Sequence, residues 1–454
     1  MNGLGVLLTT LIALALLAGS RAVAVMAILA AVLYLPQQQS VEVAGLTITA
    51  LRLIELVAIS RVVFRAEWSG LALNGIDRLF LVTYLYTATV FFLRSAVAIP
   101  ETIGWVTDSL LCYVVFRCLV RSYEDFTLIL KGLVVLFLPF LVLLAIEVAT
   151  GRNPFAALGT WTAWVELREG RVRAMGSFRN PSLLGTLGAC FLPLYLALVA
   201  RRTGRRIAMV GVVACICIVY ASNSGSPLSA MAAGLIAALL WCARTHTRLL
   251  RWAAFACLGV LALSMQAPVW SLLERMSFIT GGSGWHRAHL LTMAWQDFGK
   301  WWQFGMPLSE TLHWFPYSLS LTGTADITNT FVDFGLKAGL PALVLFVWLI
   351  GAAFGAVGRC VNAPLDKGPS RDHRILLWGL GCALATHIAM WFGITYFDQT
   401  YVLWMLHLAT IASLAGARHA QPAAEGSRGG APHDPSLPGA GPSTPTPDLG
   451  HVNP

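Results

Sequence analysis

Four arginines, Arg168, Arg171, Arg173 and Arg179, crowd into a dozen residues and run into Asn180-Pro181-Ser182. A guanidinium offers a planar fork of donors that matches phosphate oxygens and stays charged at any working pH, so a cluster this dense suits an anionic ligand. Two other readings fit the same residues: a solvated loop paired to Glu166 and Glu169, or contact with anionic lipid head groups. A second segment reads Gly281-Gly-Ser-Gly-Trp-His286-Arg287-Ala-His289. Beyond it Leu290, Leu291, Ala294 and Trp295 recur at helical spacing, which predicts an amphipathic helix on a membrane surface with Arg287 in its first turn. Trp301 and Trp302 follow, as interfacial anchors or as platforms for a sugar ring. No carboxylates are spaced as a paired metal site would need, so neither a metal nor another cofactor is expected.

The elements that must position these residues are membrane spans. The 454 residues are 57% hydrophobic and only 12% charged, about half the charge of a soluble domain, which excludes a water-soluble enzyme. Apolar runs cover residues 4–19, 22–35, 45–64, 79–95, 107–120, 127–149, 183–200, 207–221, 227–243, 252–267, 329–358, 375–394 and 399–415. The fold class this predicts is all-α, a polytopic transmembrane helical bundle of about 12 to 13 spans occupying residues 1–416. The first two runs, parted only by Gly19, Ser20 and Arg21, fit a hairpin, one broken element, or a span plus an interfacial piece. A cleavable signal peptide is not expected, because no basic stretch precedes the first apolar run.

The balance of 31 Lys and Arg against 22 Asp and Glu gives a charge of +9. In a membrane chain this reflects basic cytoplasmic loops, so no nucleic-acid partner is implied. Arg61 and Arg65, Arg117 and Arg121, Arg201, Arg202, Arg205 and Arg206, then Arg244, Arg248 and Arg251, and finally Arg359, Lys367, Arg371 and Arg374 all fall on one face. The positive-inside rule makes that face cytoplasmic. Loops 36–44, 96–106, 150–182, 222–226, 268–328 and 395–398 then face the other side. Two of these, 150–182 and 268–328, are long and are expected to contain short helices. From His419 the chain turns to Pro, Gly, Ser and Ala, so 417–454 reads as a disordered cytoplasmic tail. The nine cysteines lack zinc or thioredoxin spacing and read as small core residues. Within the spans, Arg52 and Glu55 stand three apart on one helical face, as an ion pair or part of a proton or ion path. Asp333 and Asp398 fit either a cavity wall or a helix cap.

The order of several small motifs resembles the O-antigen ligase and polysaccharide polymerase superfamily. They are Arg173-x-x-Gly176 followed by Asn180-Pro181, Ser283-Gly-x-x-Arg287 with Gly305 beyond, and Asn329-x-x-Val332 leading to Gly339-Leu340. The resemblance covers residues 170 to 350. It implies a bacterial inner-membrane glycosyltransferase acting at the periplasmic face, a polyprenyl-diphosphate-linked glycan donor, a glycan or lipid-linked acceptor, inversion at the anomeric carbon and no metal. The residues it marks as catalytic are Arg287, Arg173 and the position of Thr328, and Asp326 is a catalytic candidate by proximity in the loop alone. Arg171, Arg179, Asn180, Asn329, Gly305 and Asp398 are expected to bind substrate. The chain departs from the pattern twice. Thr328 stands where ligases carry a histidine before the asparagine, and Asn223-Ser224-Gly225 stands where relatives often read Ser-Arg-Gly. A threonine is no efficient base at neutral pH, which favours polymerase over transfer of O-antigen to lipid A-core. Asp326, Glu310, His313 and His286 lie in the right loop to replace it.

A transporter or flippase for lipid-linked sugars would also want basic loops and buried charges. The chain lacks an evident inverted repeat or matching broken spans, the usual pointers to alternating access. An inactive scaffold of the same fold is the third reading.

Overall fold

The computed structural model describes residues 1–43, 46–94, 99–160, 164–168, 170–201, 204–274, 284–315, 325–364 and 368–416. The expected tail at 417–454, Ser283, Lys367 and Glu169 lie outside these residues. The chain runs α1 Gly3–Ala18, α2 Arg21–Tyr34, β1 Ser40–Val43, β2 Leu46–Thr49, α3 Ala50–Phe64, α4 Gly75–Arg94, α5 Ile99–Leu119 and α6 Tyr123–Thr150. It continues with β3 Glu166–Arg168, β4 Arg171–Arg173, α7 Pro181–Ala200, α8 Arg205–Ser222, α9 Gly225–Leu239, α10 Thr247–Ser264, α11 Gly284–Gln296, α12 Thr330–Val361, α13 Arg371–Trp391 and α14 Thr400–Gly416. Among the described residues seven helices are long and apolar enough to cross a membrane, and α1, α2 and α14 are shorter apolar helices. The protein is therefore an all-α membrane bundle, with sheet among the described residues limited to two hairpins.

Burial sorts the helices into a centre and a rim. Every residue of α14 but the half-buried Tyr401 is buried, and α7 is apolar on nearly every side, the pattern of a helix enclosed by others. On α6, by contrast, Val135, Leu138 and Val142 are exposed on one side while Phe137, Phe140 and Leu144 are buried on the other. With no water-facing role, that outer stripe is the surface offered to lipid. Local chemistry sets the ends. Ser122 and Asp125 form a reciprocal cap at the start of α6, and Gly151, in the left-handed conformation, closes it. Asn180 caps α7 with Pro181 at its first position, where the missing N–H costs nothing.

One alternative left open by the sequence is resolved, and two features differ from the expectation. The first two apolar runs are separate helices packed on one another, because Ser20 caps α2 after α1 has ended at Ala18. The loop expected at 96–106 is largely helix, since α5 already begins at Ile99. The run 329–358 is broken: Ala338 and Gly339 leave helical geometry, with Gly339 at φ 81 and ψ −176, a region open only to glycine. The break is braced from outside. Arg94 of α4 donates to the carbonyls of Phe304, Leu336 and Met306 at 2.7, 3.0 and 2.9 Å, and Leu340 N–H donates to Trp302 O at 2.7 Å. Gly305 and Gly339 permit this contact, because a Cβ at 305 would come within 2.1 Å of Leu336 O and one at 339 within 2.3 Å of Gln303 O.

Candidate functional site

The break in α12 leaves residues 330–337 as a short helix facing a cavity of about 680 Å³. Three helix N-termini supply its wall, through Asn180 and Ser182 of α7, Ser224 and Gly225 of α9, and Thr328 and Thr330 of α12. A helix N-terminus carries partial positive charge and unpaired N–H groups, so all three favour an anion there. Arg168, Arg173 and Arg287 line the same space.

Each arginine is delivered by local structure. The β3–β4 hairpin sets Glu166 opposite Arg173, and their side chains pair at 2.6 Å. Gly170, at φ 73, makes its turn. The chain then bends at Gly176, φ 58, where Met175 and Gly176 N–H groups donate to the two oxygens of Glu147 at 2.8 and 2.9 Å. A Cβ at 176 would press on Phe140 at 3.1 Å, which explains a glycine here. Arg173 also reaches Ser224 Oγ at 3.4 Å, and Ser224 shares a hydrogen bond with Ser182 at 2.6 Å.

Arg287 stands in the first turn of α11, half-buried. It donates to Ser226 Oγ at 2.5 Å, its Nε is buried without a hydrogen-bond partner, and no carboxylate pairs with it among the described residues. Burial, and secondarily the charge of Arg168, push its guanidinium pKa down. Two cations held close, one of them without a counterion, are costly unless an anion joins them.

The rest of the cavity is mixed in its lining, with Arg52 and Lys337 set among acidic and aromatic side chains. Asp108, Asp326, Asp333 and Asp398 line it, along with Tyr84, Trp105, Phe334 and Tyr396. Asp333 is paired to Lys337 at 2.7 Å. Asp108 receives both arms of Arg52, at 2.7 and 2.9 Å, which corrects the expected Arg52–Glu55 pair. The guanidinium fork spans from α3 to a carboxylate on α5 that it can grip twice, whereas Glu55 on its own helix offers no such geometry. Glu55 instead accepts from the Tyr401 hydroxyl.

Of the residues singled out from sequence, Arg173, Asn180, Arg287, Asp326, Thr328 and Asp398 meet at the cavity. Asn329 caps α12, its Oδ1 accepting from Phe331 and Val332 N–H, and so sets the helix rather than the wall. Arg171 is exposed on the hairpin, Arg179 is ion-paired to Asp398 at 3.1 Å, and Gly305 supports the broken helix. His286 Nε2 donates to the backbone carbonyl of Asp326, 3.1 Å away, and burial lowers its pKa. His313 is bound to Asp297 at 2.9 Å, and neither His313 nor Glu310 is a cavity residue. Sequence reasoning missed Asp108, Lys337 and Ser226. An intramembrane arginine at 52 signals that some carboxylate must answer it, but only the folded chain names Asp108.

No known family's sequence profile matches the chain, and no curated protein matches it significantly.

Proposed function

We propose that this protein is a bacterial inner-membrane glycosyltransferase that transfers a polyprenyl-diphosphate-linked glycan at the periplasmic face in surface-polysaccharide synthesis. The reading rests on the resemblance of residues 170 to 350 and on 12 to 13 spans counted from the apolar runs. The observation that carries it is the convergence of Arg168, Arg173 and Arg287 with three helix N-termini on one cavity. When a glycosyl–phosphate bond breaks, the leaving diphosphate gains charge, and preorganised cations lower the barrier by stabilising what develops only in the transition state. The resemblance adds inversion at the anomeric carbon and independence of metal. The arginines of the lining suit the diphosphate, while Tyr84, Trp105 and the carboxylates suit sugar rings and an acceptor hydroxyl. Polymerase is favoured over ligase because Thr328 holds the histidine position.

Purified protein incubated with lipid-diphosphate-linked glycan extracted from host membranes, in the presence of a chelator, tests the class of activity. A transferase releases free polyprenyl diphosphate and lengthens the glycan. A flippase or an inactive scaffold releases none, and release only when divalent metal is restored contradicts metal independence.

A further inference from the structure

With Thr328 in the histidine position, the acceptor hydroxyl still has to lose its proton. Four carboxylates of described residues line the cavity, and three are poorly suited to take it. Asp108 is held by both arms of Arg52, and Asp333 by Lys337. Asp326 is exposed, so water competes for its carboxylate. Thr328 Oγ1 is buried with no hydrogen-bond partner. An aliphatic hydroxyl cannot hold a proton from another alcohol, so Thr328 is no substitute.

The fourth carboxylate, Asp398, is ion-paired as well, to Arg179, but without the well-formed hydrogen bonds that hold Asp108 and Asp333. Asp398 sits in the turn between α13 and α14 with φ 51, a left-handed conformation that aspartate tolerates better than most non-glycine residues, and the surroundings hold the turn in place. The surroundings do so at several points. Thr395 Oγ1 donates to Ile327 O at 2.5 Å, tying this turn to the segment that carries Thr328. Gln399, fully buried, donates to Leu35 O at 3.2 Å and Ser177 O at 3.0 Å. Thr400 Oγ1 closes the turn on Phe397 O at 2.7 Å. The Asp398 side chain is 15% exposed, and its Oδ2 meets Arg179 Nε at 3.1 Å without a well-formed hydrogen bond. No hydrogen bond to Oδ1 is seen among the described residues.

Resting on the glycosyltransferase reading above, we propose that Asp398, which lines the same cavity as the threonine in the histidine position, is the general base of the transfer. The acceptor O–H bond breaks and its proton passes to an Asp398 carboxylate oxygen. The acceptor oxygen bonds to the anomeric carbon, and the bond from that carbon to the phosphate oxygen breaks with its electron pair going to the diphosphate. Burial pushes the Asp398 carboxyl up to about 6, the charge of Arg179 opposing that rise, with Asp108 raising and Arg52 lowering it further. A base is best with a pKa near the working pH, which burial brings this carboxylate toward. Because the deprotonated form is the active one, transfer falls as pH drops through about 6.

The experiment measures release of polyprenyl diphosphate from lipid-linked glycan by full-length protein across pH 5 to 8, for wild type, Asp398→Asn, Asp398→Glu and Thr328→Ala. The expectation is a wild-type acid limb near pH 6, a loss of about a hundredfold or more in kcat for Asp398→Asn with little change in donor KM, and partial recovery in Asp398→Glu with its limb displaced. Thr328→Ala retains the wild-type limb. An Asp398→Asn enzyme that is monodisperse and within about threefold of wild type overturns the proposal, as does a wild-type limb absent near pH 6 or one that persists in Asp398→Asn. If wild type itself releases no polyprenyl diphosphate, the glycosyltransferase reading fails instead.

Discussion

Replacing Arg287 by alanine removes a cavity cation that has no carboxylate partner among the described residues. Its hydrogen-bond partner is the neutral Ser226 hydroxyl, and its Nε is buried without a partner. Its full charge is therefore available to a departing diphosphate. Losing one such charge-assisted contact raises the barrier by about 2 to 4 kcal/mol. That corresponds to roughly a thirty-fold to thousand-fold loss of rate. Arg173 is already paired to Glu166 at 2.6 Å, so Arg173→Ala removes a cation whose charge is partly spent and is expected to lose about tenfold. The assay is steady-state release of polyprenyl diphosphate by protein reconstituted in liposomes, with thermal unfolding measured on the same samples. Because Arg287 is not an ion-pair member, its removal leaves no carboxylate uncompensated, and the unfolding temperature of Arg287→Ala is expected to match or exceed that of wild type. Arg287→Lys recovers activity only in part, since an ammonium lacks the fork. Turnover of Arg287→Ala within about threefold of wild type would refute the reasoning, as would a loss that tracks unfolding.

Asp77→Ala strands Arg117, whose Nε and Nη2 donate to Asp77 at 2.9 and 3.1 Å in a pair 1% and 8% exposed; it is expected to cost about 3 to 5 kcal/mol, read as a lower unfolding temperature without a selective effect on substrate. Gly339→Ala forces a methyl against Gln303 O and a disfavoured backbone, so expression of folded protein falls sharply, as size-exclusion chromatography of the solubilised protein would reveal. A cysteine at Leu167, 66% exposed on the β3–β4 hairpin, is expected to react with an impermeant thiol reagent added from the periplasmic side, whereas Ser177, 2% exposed and bonded to Val32 O, stays unlabelled from either side. Labelling of the Leu167 cysteine only after the inner membrane is broken contradicts the orientation.

Much of the scaffold was legible in the sequence because a bilayer imposes one rule, a long apolar run, that needs no knowledge of contacts. Asn180-Pro181 marked the start of α7, and Gly-Trp-His-Arg287 with its apolar spacing marked α11, since caps and periodicity are local signals. The break at Gly339 was also written locally, in Ala338-Gly-Leu-Pro341, but the continuous hydrophobicity on either side hid it. The site was legible only in part. Arg173 belongs to one long loop and Arg287 and Asp326 to the two ends of another, and the fold brings all three to one cavity. The partner of Arg52 lies 56 residues away on another helix, and its nearer neighbour Glu55 is claimed by Tyr401, 346 residues away. Side-chain pairing across helices depends on their packing, which no local pattern encodes.

The central claim is that this cavity breaks a glycosyl–diphosphate bond and passes the sugar to an acceptor hydroxyl. Following both products in one reaction tests it most directly: free polyprenyl diphosphate and lengthened lipid-linked glycan, from a single pool of host-derived donor in proteoliposomes. The account predicts that the two appear in equal amounts and that both fall together in Arg287→Ala. Neither product above protein-free liposomes, or diphosphate released with free glycan rather than a lengthened chain, would contradict it.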